Sequence, residues 1–170
     1  MRPCALPTES LLRPYAQGQA YADCYVVEVE AAVWLPAFVE SFYTTPLFKV
    51  ERGLLGSFAA RPSTDLEARQ LAAGETSTFA AWRVEARSAD QLLLADFTGR
   101  TRSWLMVAPA AGAAAGPRTC LYFGSAVLAR SDARTGRRSM GLSFHALLGF
   151  HRLYSRLLLH SARSRVLARG

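Results

Sequence analysis

The sequence has few of the residues that build disulfide frameworks or metal sites. Its 170 residues include three cysteines and three histidines, and neither a CxxC pair nor an HExxH segment occurs. Structural zinc sites and small disulfide-rich folds depend on such spacings. We therefore predict no metal, no cofactor and no disulfide framework, and an odd set of unpaired thiols indicates a reducing cytoplasm.

Long apolar runs are also absent. The most apolar stretch, residues 142–159, is interrupted by two histidines and two arginines, whereas a membrane-spanning helix needs about 20 mostly apolar residues. The start of the chain, residues 1–18, has no continuous apolar segment of the kind that a secretory signal contains. We expect neither a transmembrane helix nor a signal peptide.

Lysine is almost missing. Lys49 is the only one, so the net charge of +7 comes from arginine, and this usage together with many alanines is typical of GC-rich coding. Nucleic-acid binding would need aromatic side chains interleaved with the basic ones, and the pattern does not provide them. We predict no nucleic-acid partner. A weak contact with an anionic membrane surface stays open for the basic C-terminal helix and RTGRR (134–138), although a solvated basic face is commoner.

What the chain does contain is a fixed order of elements. An irregular arm over residues 1–20 precedes a single α+β domain over residues 20–168. That domain has a first strand with one face toward water, two or three helices, a four-strand meander and a long C-terminal helix. Their predicted bounds are, in that order, 21–30; 31–45, 45–59 and 63–74; 78–87, 91–99, 100–109 and 119–130; and about 140–168. The short SAD and TGR connections require antiparallel pairing, because parallel strands need long crossovers.

Three segments, together with this order, carry a family resemblance. They are FYTTPLFKVERGLLG (42–56), FAAWRVEARSADQLLLADFTGRTRSWLMVAP (79–109) and FHALLGFHRLYSRLLL (144–159). The chain resembles the helix-grip proteins of the START-like (SRPBCC, polyketide cyclase-like) superfamily. It is most similar to an uncharacterised bacterial family whose members occur alone or attached to short-chain-dehydrogenase-like domains.

The resemblance implies a fold and a cavity. In helix-grip proteins a curved antiparallel sheet wraps around a long C-terminal helix, and short helices follow the first strand. Most of the superfamily binds lipids, sterols, hormones or polyketides between sheet and helix, with scattered enzymes among them. The resemblance therefore implies an apolar ligand, but it transfers no catalytic residue to this chain.

A helical wheel of the C-terminal segment separates two faces. The predicted apolar face comprises Leu147, Phe150, Tyr154, Leu157 and Leu158. The opposite face comprises His145, Arg152, Arg156, His160 and Arg163. His151 falls at the edge of the apolar face, so the three histidines do not converge on a metal. We interpret the helix as a cavity wall.

Polar residues on apolar strand faces are the remaining candidates for chemistry. Asp96 shares a strand face with Leu92 and Leu94, so it is predicted either to reach the cavity or to pair with Arg102 across the TGR hairpin. The predicted cavity lining is drawn from Tyr25, Trp82, Leu94, Asp96, Trp104, Phe123, Leu147, Phe150, His151 and Tyr154.

Three functions follow from these observations. The first is non-covalent binding of an apolar or aromatic small molecule, such as a lipid, a polyketide or a similar metabolite. The second is an enzyme of the cyclase, dehydratase or isomerase type that uses Asp96 or His151 as general acid or base. The third is a structural or interaction module whose core is filled by side chains. The sequence does not indicate an oligomeric state.

Overall fold

The computed structural model describes residues 1–17, 20–46, 48, 63–110, 117–131, 138–139 and 142–168, with the backbone alone over 130–131, 138–139 and 142–152. Within these ranges the chain is α+β: seven strands form one antiparallel sheet and a long helix lies at the C-terminal end. This confirms the predicted α+β class.

The sheet has the strand order β1–β2–β7–β6–β5–β4–β3. Its strands are β1 (Arg2–Pro3), β2 (Tyr21–Val29), β3 (Thr78–Phe79), β4 (Trp82–Arg87), β5 (Gln91–Asp96), β6 (Thr101–Pro109) and β7 (Thr119–Val127). A separate ribbon pairs β8 (Arg130–Ser131) with β9 (Arg138–Ser139). The predicted meander is confirmed as β4 to β7, and the long β2–β7 ladder joins the first predicted strand to the last.

The predicted strand over 78–87 is wrong in one respect, because a tight turn divides it into β3 and β4. Ala80 has a φ of 52°, a left-handed conformation that interrupts extended backbone. Phe79 and Trp82 then become cross-strand partners. Farther along β4, the register shifts between Val84 and Ala86, which leaves Glu85 as the extra residue of a bulge.

Four helices lie in the described ranges: α1 (Arg13–Ala16), α2 (Leu35–Tyr43), α3 (Asp65–Ala73) and α4 (Leu142–Leu167). Local sequence explains their ends. Pro36 occupies the first turn of α2, where no backbone donor is needed. A capping box between Thr64 and Glu67 begins α3, and Gly74 ends it with a φ of 81°. The helix predicted over 45–59 lies almost wholly outside the described residues.

The three longer helices cover one face of the sheet, here called the inner face. Helix α2 contacts α3, α4 and β6, while α4 contacts β2 and β7. Alternate residues of β2, β5, β6 and β7 supply the sheet side of this core. They include Tyr25, Val27, Leu92, Leu94, Leu105, Leu121 and Phe123. The ring centroids of Phe42 on α2 and Phe123 on β7 are 4.8 Å apart.

The opposite face of the sheet, here called the outer face, is covered by the N-terminal arm. Leu12 of the arm is completely buried and packs with Cys24, Leu93, Trp104 and Met106 in a second core. The arm also adds β1 to the edge of β2. The prediction that the outer residues of the first strand face water is therefore wrong for Cys24, because arm residues occupy that space.

Gly124 marks the closest approach between the arm and the sheet. A Cβ atom at this position would lie 2.9 Å from the Asp23 carbonyl oxygen, 2.9 Å from Leu12 Cδ2 and 3.0 Å from Trp104 Cε3. The arm can seat against the sheet because β7 has no side chain there.

Replacing Gly124 with alanine is expected to lower the free energy of unfolding by about 1–3 kcal/mol, the usual cost of overpacking. Urea unfolding followed by circular dichroism measures it. The matched control is the same change in a Leu12→Ala background, where the cost should be smaller because one of the three crowding atoms is gone. An identical cost in both backgrounds would contradict the packing of the arm on Gly124.

Candidate functional site

Four of the predicted lining residues share the inner face of the sheet. Tyr25 on β2 is the cross-strand partner of Phe123 on β7. Leu94 on β5 and Trp82 on β4 lie toward the other edge of the sheet and belong to the same core. Tyr154 packs against this core from α4. The structure therefore brings these five side chains to one side of the sheet.

Trp104 is not among them, and its predicted position is wrong. Alternation along β6 directs Ser103 and Leu105 toward the inner face and Trp104 toward the outer face. The indole is completely buried there, and its Nε1–H donates a hydrogen bond of 2.9 Å to Gln91 Oε1. Trp104 therefore belongs to the contact between sheet and arm.

Asp96 holds the turn between β5 and β6. Its Oδ1 accepts hydrogen bonds from the backbone N–H groups of Arg100 at 2.8 Å and Thr101 at 2.9 Å. Its Oδ2 accepts from the Thr98 hydroxyl at 2.5 Å. The alternative prediction, a pair with Arg102, is wrong because Arg102 forms its ion pair with Glu85. Both carboxylate oxygens are thus used in the turn, which is a structural role.

From residue 153 onward, the buried face of α4 matches the predicted apolar face only in part: Leu158 is buried and Tyr154 packs against the core, as predicted. The residues it buries are Ser155, Leu158, Leu159, Ala162 and Val166. Leu157, predicted to face the sheet, is 46% exposed. Leucines at three consecutive positions, 157–159, give a wheel no basis for choosing between adjacent faces. The side chains of Leu147, Phe150 and His151 lie outside the described residues, so their roles stay predictions.

Trp82 places a polar atom among the apolar side chains of the inner face. Its indole Nε1 is buried and has no hydrogen-bond partner among the residues that the structure describes. Its cross-strand neighbours are Phe79 on β3 and Asp96 on β5. Two residues farther along β4, Val84 pairs with Leu94 of β5. A buried donor without an acceptor costs about 1–3 kcal/mol. Such a group in a native structure calls for an acceptor from water or a ligand.

The sequence pattern missed a second polar contact on the inner face. The hydroxyl groups of Tyr43 on α2 and Ser103 on β6 are 3.1 Å apart and form a buried hydrogen bond. Their separation of 60 positions in the sequence leaves no local signal for this pairing. The bond orients α2 on the sheet and gives each buried hydroxyl group a partner.

A polar network on the outer face was also missed. Arg102 Nη2 lies 2.9 Å from Glu85 Oε2, and its guanidinium carbon lies 4.5 Å from the ring centroid of Tyr15 in the arm. The Tyr15 hydroxyl donates to Glu85 Oε1, and this hydrogen bond to a carboxylate raises the pKa of Tyr15. The network joins the arm to β4 and β6 through charged groups.

Among the described residues, no group of three or more histidine, cysteine and acidic side chains is placed to hold a metal ion. None of the helices in that part of the chain combines the length and the apolar character that a membrane crossing needs. A surface cavity of about 290 Å³ does occur, but it lies where the arm meets β2 and β7. Its lining residues are Met1, Arg2, Val26, Val27, Glu28 and Cys120.

No known protein-family model matches this chain, and a search of curated proteins likewise finds no match.

Proposed function

We propose that this chain is a helix-grip protein that binds an apolar small molecule on the inner face of the sheet, with a hydrogen-bond acceptor of the ligand placed against Trp82. The fold class supports the first part, since an antiparallel sheet with helices on one face and a long C-terminal helix is consistent with that architecture. The unpartnered Nε1 of Trp82 is the observation that carries the second part.

The chemistry of the ligand follows from the side chains around this atom. An indole nitrogen donates and cannot accept, so it selects a carbonyl, ether, hydroxyl or similar oxygen. The neighbouring inner-face side chains Phe79, Val84 and Leu94 are apolar. Burial of apolar ligand surface there contributes about 25 cal/mol per Å², while the single hydrogen bond fixes the orientation. A lipid, a polyketide or a similar metabolite with one acceptor group fits both requirements.

The proposed site is limited to the part of the inner face near Trp82. Under α2, the rings of Phe42, Tyr43, Phe48, Phe79 and Phe123 pack in edge-to-face, tilted and stacked pairs with centroid distances of 4.8–6.1 Å. That region is filled by the protein's own side chains. The enzyme alternative draws no support from Asp96, whose carboxylate is used in the turn.

Native mass spectrometry of the full chain tests for a bound molecule directly. We expect a mass above that of the polypeptide, and we expect the excess to disappear after organic extraction, with an apolar, oxygen-containing molecule in the extract. A bare polypeptide mass, obtained from several expression hosts, would instead favour the interaction module with a filled core.

A matched pair of tryptophan variants tests the position of the site. Replacing Trp82 with phenylalanine should weaken the binding of the fluorescent probe anilinonaphthalene sulfonate by about three- to tenfold, the effect of one lost hydrogen bond. Trp34→Phe is the control, because Trp34 is 78% exposed and should leave the dissociation constant unchanged. Equal affinities for both variants would overturn the assignment to Trp82.

A further inference from the structure

The arm and the sheet each contribute a cysteine to one close contact on the outer face. Arg2 pairs with Val26 and Pro3 pairs with Tyr25 in the antiparallel β1–β2 ladder. The next residues in that register, Cys4 and Cys24, therefore face each other, and the Cys4 N–H donates to the Cys24 carbonyl at 3.0 Å. Their Sγ atoms are 3.2 Å apart, and both thiols are free.

We propose that Cys4 and Cys24 form an oxidisable dithiol that a hydroperoxide converts into a disulfide, which fastens the N-terminal arm to β2. Directly opposite residues of antiparallel strands have Cα atoms about 4.5–5.5 Å apart, which lies inside the range of roughly 4.4–6.8 Å found in disulfides. The bond thus needs a small approach of the two sulfur atoms and no movement of the strands. This inference concerns the outer face and is independent of ligand binding on the inner face.

The surroundings give the two cysteines different roles. Cys24 is 5% exposed, whereas Cys4 is only partly buried and is the one that an oxidant can reach. The hydrogen bond between the two thiols and the nearby Arg2 guanidinium lower the pKa of Cys4, while the same bond and burial raise the pKa of Cys24. Because the thiolate is the nucleophile, Cys4 attacks first and Cys24 resolves.

The reaction has two balanced steps. The Cys4 thiolate attacks one oxygen of the hydroperoxide, so an S–O bond forms, the O–O bond breaks, and the leaving alkoxide takes up a proton as the alcohol. The Cys24 sulfur then attacks the sulfur of the Cys4 sulfenic acid. The S–S bond forms, the S–O bond breaks, and the hydroxide leaves as water with the Cys24 proton. The two sulfurs together lose two electrons and the peroxide gains them.

Peptide mapping after treatment with hydrogen peroxide tests the linkage. Trypsin is unsuitable, since Arg2 and Arg13 both precede proline and the first cleavable bond follows Lys49. A glutamate-specific protease cuts after Glu9 and Glu28 and thus separates the two cysteines. We expect one linked pair of peptides, lighter by two hydrogen atoms, that separates on reduction.

Cysteine variants supply the controls. Cys120→Ser is the matched one, because Cys120 lines the surface cavity and is also partly exposed; this variant should form the same linked peptides. Cys24→Ala should instead stop at a Cys4 sulfenic acid, which dimedone traps. Oxidation of Cys120 ahead of Cys4, or a linkage that includes Cys120, would overturn the proposal.

The melting temperatures of the oxidised and the reduced wild-type chain provide a test that needs no variant. Closing a loop of this length should raise the melting temperature of the oxidised protein by about 5–10 °C over the reduced protein. This comparison keeps the test decisive if Cys24→Ala does not fold. Equal melting temperatures for a fully linked and a fully reduced sample would show that the arm is not fastened in a native position.

Discussion

Replacement of Trp104 by alanine should lower the free energy of unfolding by about 3–5 kcal/mol, the cost typical of truncating a buried aromatic side chain. Trp104 is completely buried between the sheet and the arm. Its loss would leave a cavity beside Leu12 and deprive Gln91 of a hydrogen bond. Urea unfolding followed by far-ultraviolet circular dichroism measures the change.

Trp34→Ala is the natural control for this experiment. Trp34 lies at the N-terminal end of α2 and is 78% exposed, so its replacement should alter stability by no more than about 0.5 kcal/mol. Probe binding on the inner face should change little in folded Trp104→Ala protein, because the sheet lies between the two positions. A small stability effect at Trp104 would show that the arm does not seal the outer face.

Replacement of Glu85 by glutamine is expected to cost about 2–3 kcal/mol. Arg102 is buried, and the substitution removes the negative charge 2.9 Å from its guanidinium while leaving the positive charge in place. A buried charge without its counter-ion is strongly unfavourable, even where the intact ion pair adds little stability. Tyr15, which donates its hydroxyl hydrogen to Glu85, would lose a charge-assisted bond as well.

A double-mutant cycle separates the ion pair from the packing. Arg102→Met removes the positive charge and keeps an apolar stem, so the Glu85→Gln/Arg102→Met protein should be more stable than Glu85→Gln alone. Urea unfolding of the four proteins gives the coupling energy. Simple addition of the two single costs would contradict an interaction between these side chains.

Local patterns in the sequence predicted the parts of the fold that depend on local rules. The SAD and TGR turns and the two-residue alternation around them predicted the β4–β7 meander, and the predicted helix over 63–74 agrees closely with α3. Ala80 escaped prediction, because a left-handed alanine has no sequence signature and arises where a tight turn is imposed by pairing on both sides.

The residues of the candidate site could be predicted only where the sequence showed which side chains of a strand point toward the inner face of the sheet. Both faces of β6 are apolar, so the pattern could not decide whether Trp104 or Leu105 points toward the helices. The orientation of Trp104 depends on the arm, which packs on the outer face. The arm reaches that face through contacts between residues far apart in the sequence, so local patterns do not reveal it. The unpartnered nitrogen of Trp82 was equally invisible, since it is defined by the absence of an acceptor in three dimensions.

The two edges of the sheet share a feature that affects association between molecules: both edge strands are very short. Each is closed by a strand of two residues, β1 on one side and β3 on the other. Short edge strands discourage the addition of a foreign strand, whereas a long, flat edge invites it. Displacement of the arm would present the nine residues of β2 as a new edge, together with the apolar outer face. A disulfide between Cys4 and Cys24 would therefore oppose self-assembly. It would hold the arm on β2 and so prevent this strand from pairing with a second copy of the chain.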